Sequence, residues 1–266
     1  MGGGVRRLIA FPCQGETLAG TLDPAKGATG VLIVTGGNEV RWGAHRGMAM
    51  LAARLAAAGV PVFRFDRRGV GDSSGENRGF RSSGPDIAAA AAAFRTEQPQ
   101  VTRLAGFGNC DAATSLALFG RAAGVDALVL ANPWVIESDG PLPPPAAIRA
   151  RYAQRVRDWR EWQRLVTGGV DLRGLARGLR RATAPAGIGG LADEVAMALA
   201  GWREVTVLLA DRDNTAVAFA DALQGEAFAG VRGRVRVERR ATESHSFARE
   251  GDGDWVFARV MEVASG

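Results

Sequence analysis

Apolar and polar positions change period repeatedly along this chain. Segments 5–11 and 17–22 flank Gly15 and predict an opening hairpin. Residues 30–34, Gly-Val-Leu-Ile-Val, form an unbroken apolar run of the kind buried on both faces of a parallel sheet. In 47–58 the period lengthens, with Met48, Leu51, Leu55 and Ala58 at helical spacing. The same succession recurs as a strand at 62–65, a helix over 87–94 capped near Ser83, an apolar run at 101–105 and a helical stretch at 113–122. A strand at 127–131 follows, and later a strand at 205–209, a Val-rich segment at 231–237 and a final helix over 255–263. Strands alternating with helices predict an α/β protein whose largely parallel sheet is covered on both faces.

The stretch 137–201 breaks that rhythm. It opens with the stiff Gly140-Pro141-Leu142-Pro143-Pro144-Pro145 and continues with helical patterns around Tyr152, Trp159, Trp162 and Leu165, then over 172–179 and 191–199. The expected organisation is a core from 1–136 and 202–266 with a helical lid or cap over 137–201. Trp134, Tyr152, Trp159 and Trp162 either line a pocket beneath that lid or pack it onto the core.

Composition changes little in this picture. At 266 residues, with 47% hydrophobic and 23% charged positions, the chain can bury one substantial core. No apolar run reaches the length of a membrane span, and 1–7 lacks the apolar stretch of a signal peptide. Two cysteines make no disulfide framework, so a cytoplasmic protein is expected, with Cys13 a core or edge residue of the first strand. The net charge of +5 rests on arginine, since Lys26 is the one lysine. Arginines crowd 149–181, as a solvated helical face or as a surface for an anionic partner such as the phosphates of coenzyme A or an acidic carrier protein. No nucleic-acid motif, metal-ligand cluster or dinucleotide fingerprint accompanies them, so no cofactor is expected.

The chemistry concentrates at Gly108-Asn109-Cys110-Asp111-Ala112, between an apolar run and a helical stretch. Strand, sharp turn and helix in that order describe the nucleophile elbow of an α/β-hydrolase, with Cys110 at the nucleophile position. A thiol at a helix N-terminus is disposed to ionise. The order nucleophile, acid, base then points onward. His245 is the one histidine after the elbow, and Asp211 and Asp213 both follow the 205–209 strand. Asp213 is favoured by its spacing from Ala210, with Asp211 as the alternative. The Gly36-Gly37 turn after the 30–34 strand offers an oxyanion donor in the Gly37 N–H, with Asn38 as its neighbour, and the Asp111 N–H supplies a second. His45 and Arg46 lie just beyond, where they reach a substrate anion or start a helix. Asp66, Arg68 and Asp72 are expected to brace the adjoining turn.

Several motifs together resemble the exosortase A system-associated hydrolase 1 family. They are the elbow 108–113, Val34-Thr35-Gly36-Gly37-Asn38, Arg41-Trp42-Gly43-Ala44-His45-Arg46, the 64–73 run, Asn132-Pro133-Trp134-Val135, and Tyr152, Arg155, Trp162 and 168–172. The resemblance covers most of 18–245 and implies the α/β-hydrolase fold and its active-site layout, without a substrate. The reaction expected from these residues is cleavage of an ester, thioester or lactone through an acyl-enzyme on Cys110. Transfer of the acyl group to an alcohol or amine is the alternative, and a non-catalytic binding protein of the same fold is a third.

Overall fold

The computed structural model describes residues 5–135 and 190–266. Eight strands form one sheet in the order β1-β2-β4-β3-β5-β6-β7-β8. Strands β1 (Arg7–Cys13) and β2 (Glu16–Asp23) make the expected hairpin, and β2 also runs antiparallel to β4 (Val62–Phe65). From there the sheet is parallel through β3 (Thr29–Val34), β5 (Arg103–Asn109), β6 (Ala127–Ala131), β7 (Val205–Ala210) and β8 (Arg236–Arg240). The parallel strands end on one edge, so the loops after β3, β5, β6, β7 and β8 meet there.

Among the described residues, six α-helices cover the two faces. Helices α1 (Gly47–Ala57) and α6 (Asp252–Ser265) share one face, where Met48, Leu51, Ala52 and Leu55 meet Val256, Val260 and Val263 over Val31, Ile33 and Val129. The spacing of the α1 residues is the stripe the sequence predicts. On the other face lie α2 (Gly84–Glu97), α3 (Asp111–Phe119), α4 (Leu191–Ala200) and α5 (Asn214–Gln224). Their apolar residues join Leu32, Val34, Phe63, Leu104 and Leu128 in a second core. Helix α4 falls within the segment expected as a lid, yet Leu191, Val195, Ala196 and Leu199 are buried in this core. The remainder of that segment, including Tyr152, Trp159 and Trp162, lies outside the described residues.

Buried ion pairs brace the loop edge. The Asp66 carboxylate pairs with the Arg41 guanidinium and accepts the N–H groups of Arg41 and Asp72, while Arg41 Nε donates to Thr21 Oγ1 at 2.9 Å. Arg68 Nε meets Asp86 at 2.5 Å, as the bracing expected of the 64–73 run requires. Cys13 Sγ also contacts Asp86, at 3.3 Å, and burial followed by that carboxylate pushes its thiol up to about 11. Cys13 is a core thiol, as expected. Among the described residues no helix is long and apolar enough to cross a membrane.

Candidate active site

The chain turns sharply between β5 and α3. Cys110 sits at φ 60° and ψ −127°, a conformation that L residues rarely adopt. Small residues make the turn possible, since a Cβ on Gly108 would meet the Ala112 carbonyl carbon at 2.9 Å. The elbow is clamped to β6, with the Cys110 N–H donated to the Ala131 carbonyl at 2.9 Å and the Trp134 N–H to the Cys110 carbonyl at 3.2 Å. The thiol is half-buried at the loop edge.

His245 arrives from the loop after β8. Its Nδ1 lies 3.0 Å from Asp213 Oδ1, and the Cys110 side chain is near enough to influence the charge of the imidazole. Of the two acid candidates, then, Asp213 meets the histidine. Asp211 points to Arg239, at 3.1 Å. Asp213 is mostly buried and uses both oxygens, since Oδ2 accepts the Ala216 N–H at 3.0 Å and caps α5. Asp213, which accepts a hydrogen bond from the ring, and then the Cys110 side chain push the His245 imidazole from 6.5 up to about 10, against the opposing effect of burial. The histidine is therefore held protonated at neutral pH between a carboxylate and a sulfur.

The glycine turn after β3 adopts a form the sequence does not foretell. Gly37, at φ 55°, donates its N–H to Asp111 Oδ1 at 2.8 Å. The Arg67 guanidinium grips the Gly37 carbonyl and comes within 4.0 Å of Asp111 Oδ2. Asp111 was expected to offer its N–H, which opens α3 and has no acceptor within the helix. Its carboxylate adds a strut across the site, and the Gly37 donor is engaged by that strut. Asn38 is exposed, and its Oδ1 accepts from Asn77 at 2.7 Å. Glu39 joins the site without any signal in the sequence. Half-buried, it accepts the Ala44 N–H at 2.6 Å, and burial raises its carboxyl despite that bond and the nearby His245 charge.

His45 and Arg46 are both left-handed, at φ 51° and 61°, and they diverge. His45 lines a cavity of about 410 Å³ together with Glu39, Met48, Leu51, Phe107, Asn109 and Phe247. Arg46 lines a separate cleft with Arg6, Arg41, Trp42 and Arg64. Trp134 lines neither and packs, half-buried, against the α2–α3 core. Among the described residues no group of three or more His, Cys, Asp or Glu side chains is placed to hold a metal.

Residues 28–177 match the family described as serine aminopeptidase, S33. The chain belongs to that family. It is thus a hydrolase, and an S33 member with cysteine at its elbow. The α/β-hydrolase fold recurs in an esterase of Pyrococcus furiosus, with a TM-score of 0.66, 15% identity, and 97% of this chain and 89% of that one covered. It recurs in the α/β hydrolase GrgF of Penicillium sp. sh18, at 0.65 and 18%, with 98% of each chain covered. Est1E of Butyrivibrio proteoclasticus, solved with ferulic acid, aligns at 0.61 and 17%, covering 96% of this chain and 97% of that one. No curated protein matches the chain.

Proposed function

We propose that this S33 hydrolase cleaves an acyl ester or thioester through a covalent thioester on Cys110. The observation that carries the reading is the gathering of Cys110, His245 and Asp213 at the elbow, with the imidazole hydrogen-bonded to Asp213 and the Cys110 side chain close by. An imidazolium beside the sulfur favours the thiolate, the nucleophilic form. The thiolate attacks the acyl carbon, and the carbonyl oxygen becomes an oxyanion facing the Asp111 N–H and the Gly37 turn. Collapse breaks the bond to the leaving oxygen or sulfur, which takes the His245 proton. Water then gives a proton to the neutral imidazole and attacks the thioester, releasing the acid and restoring the thiolate. Each oxyanion donor is worth about 3–4 kcal/mol of barrier. Asp111 must yield the Gly37 N–H if that group is to serve as one.

The cavity beside the site supports a small acyl or leaving group with apolar character, since Met48, Leu51, Phe107 and Phe247 contribute to its lining. Coenzyme A or an acyl carrier protein is the donor that the arginine-rich 149–181 stretch would suit. The motifs quoted above support a place beside the exosortase A system-associated hydrolase 1 family. The ester preference is consistent with the esterase and the ferulate-bound structure of the same fold.

The test is intact-mass measurement after brief mixing with activated acyl esters and thioesters. One added acyl group on the wild type, absent from Cys110→Ala, is the expected result. Adduct decay in water marks a hydrolase, and decay only with an added alcohol or amine marks an acyltransferase. No adduct and no turnover with any donor would overturn the reading in favour of a binding protein.

A further inference from the structure

We propose that Asn132 is the positioning residue that holds His245 in register with Asp213 and Cys110, an assignment that rests on the function proposed above. Asn132 follows β6 and is completely buried, in a left-handed conformation at φ 42°. Its Nδ2 donates to the His245 carbonyl at 2.9 Å. Its Oδ1 accepts the Ala210 N–H at 2.9 Å, at the end of β7 and three residues before Asp213. Its own N–H extends the β6–β7 ladder to the Leu208 carbonyl at 2.9 Å. The preceding residue, Ala131, accepts the Cys110 N–H. One side chain and its neighbour thus touch the backbones that carry the nucleophile, the acid and the base.

The residue type follows from these demands. The side chain must donate to a carbonyl and accept from an N–H at a fully buried position, and a carboxamide does both where a carboxylate or hydrocarbon does not. It must also tolerate the left-handed region, where asparagine is enriched. A glycine would take the backbone shape and lose both bonds.

The His245 loop needs this tether. The bonds within it are local, from Ser244 N–H to Thr242 Oγ1, Phe247 N–H to the Ser244 carbonyl and Ala248 N–H to Ser244 Oγ. What fastens the His245 carbonyl to the sheet is a pair of amides, Asn132 Nδ2 and Asn109 Nδ2, the latter at 3.1 Å. Asn109 immediately precedes Cys110, and its Oδ1 lies 3.3 Å from Asn132 Nδ2. Position is at a premium here, because a shift of about 1 Å in a catalytic group costs on the order of 100-fold in rate.

The test exploits the presence of only two histidines. Proton NMR of the imidazoles is followed against pH in the wild type, Asn132→Gly, Asn109→Ala and, as a marker of lost pairing, Asp213→Asn, with His45→Gln assigning the signals. In the wild type the His245 signal stays protonated well above its ordinary value of 6.5. In Asn132→Gly it should titrate toward 6.5, as in Asp213→Asn, and in Asn109→Ala it should move the same way by less. The kcat for an activated ester should fall on the order of 100-fold in Asn132→Gly, with KM changed far less. Folded variants that melt lower but keep the wild-type titration would make Asn132 a structural residue only and overturn the proposal. So would a wild-type His245 that titrates at 6.5. If Asn132→Gly fails to fold, Asn109→Ala decides by the same titration. Titrations that shift as expected in a protein that forms no acyl adduct would leave the positioning role standing and remove the acyl chemistry.

Discussion

The two cysteines show how environment divides one functional group between two fates. Cys13 is buried against Asp86 and held near 11, whereas Cys110 stands half-buried near His245 at the open edge of the sheet. Brief iodoacetamide treatment of the native protein is expected to label Cys110 and leave Cys13 untouched, as peptide mapping would read. His245 also makes stability depend on pH. Its folded value lies above the unfolded one, so its stabilisation is complete below 6.5 and is lost as pH rises through about 10. The melting-temperature gap between wild type and His245→Gln should accordingly be widest near about pH 6 and close toward about pH 10. Cys110 carries a backbone cost as well, since its φ of 60° and ψ of −127° correspond to strain of about 1–3 kcal/mol. Cys110→Gly relieves that strain, which offsets the flexibility of glycine, worth about 1 kcal/mol in the unfolded chain. The variant should melt no lower than wild type in urea while forming no acyl adduct.

At the scale of elements, Asp213 joins a helix to the site. Asp213→Ala should cost about 1 kcal/mol more than Asp213→Asn in a denaturant titration, because asparagine still caps α5. Both should release His245 from its raised value. The central strands were legible because both faces are buried, so apolar runs at 30–34, 62–65 and 127–131 match β3, β4 and β6 with hardly a shift of boundary. Strand β8 was not. The Val-rich run at 231–237 suggested it, but the strand is Arg236–Arg240, an edge of mixed exposure held by backbone pairing to β7. Nor does the sequence announce helix α5, since the aspartate that caps it also fits the role of a partner for histidine. The order along the chain was enough to anticipate that an aspartate after β7 meets His245, but not by itself to choose Asp213 over Asp211. The Asp111 strut on Gly37 and the grip of Asn132 on His245 were not legible. They join loops far apart in sequence, and no local spacing records such contacts.

For the molecule as a whole, the edge where these loops meet depends on buried charge. Asp66 and Arg41 are nearly inaccessible, and they tie the segment after β3 to the ends of β2 and β4. Removing one member of a buried pair costs about 3–5 kcal/mol, and without Asp66 the Arg41 guanidinium would keep only the exposed Asp72, at 2.8 Å, as its charged partner. Asp66→Ala should lose stability on that scale in urea unfolding, more than truncation of the exposed Arg78–Glu76 pair would. The position of Asp213 has a different consequence, for what decay would look like. A descendant of this chain that abandoned chemistry would still be selected to keep a capping side chain, aspartate or asparagine, at position 213, because losing it weakens the start of a helix. Cys110 has no such second employment, and its strained turn would be better served by glycine. Drift should therefore erase the sulfur long before the cap, and if the proposed chemistry holds, an intact Cys110 is the more telling mark of a protein still at work.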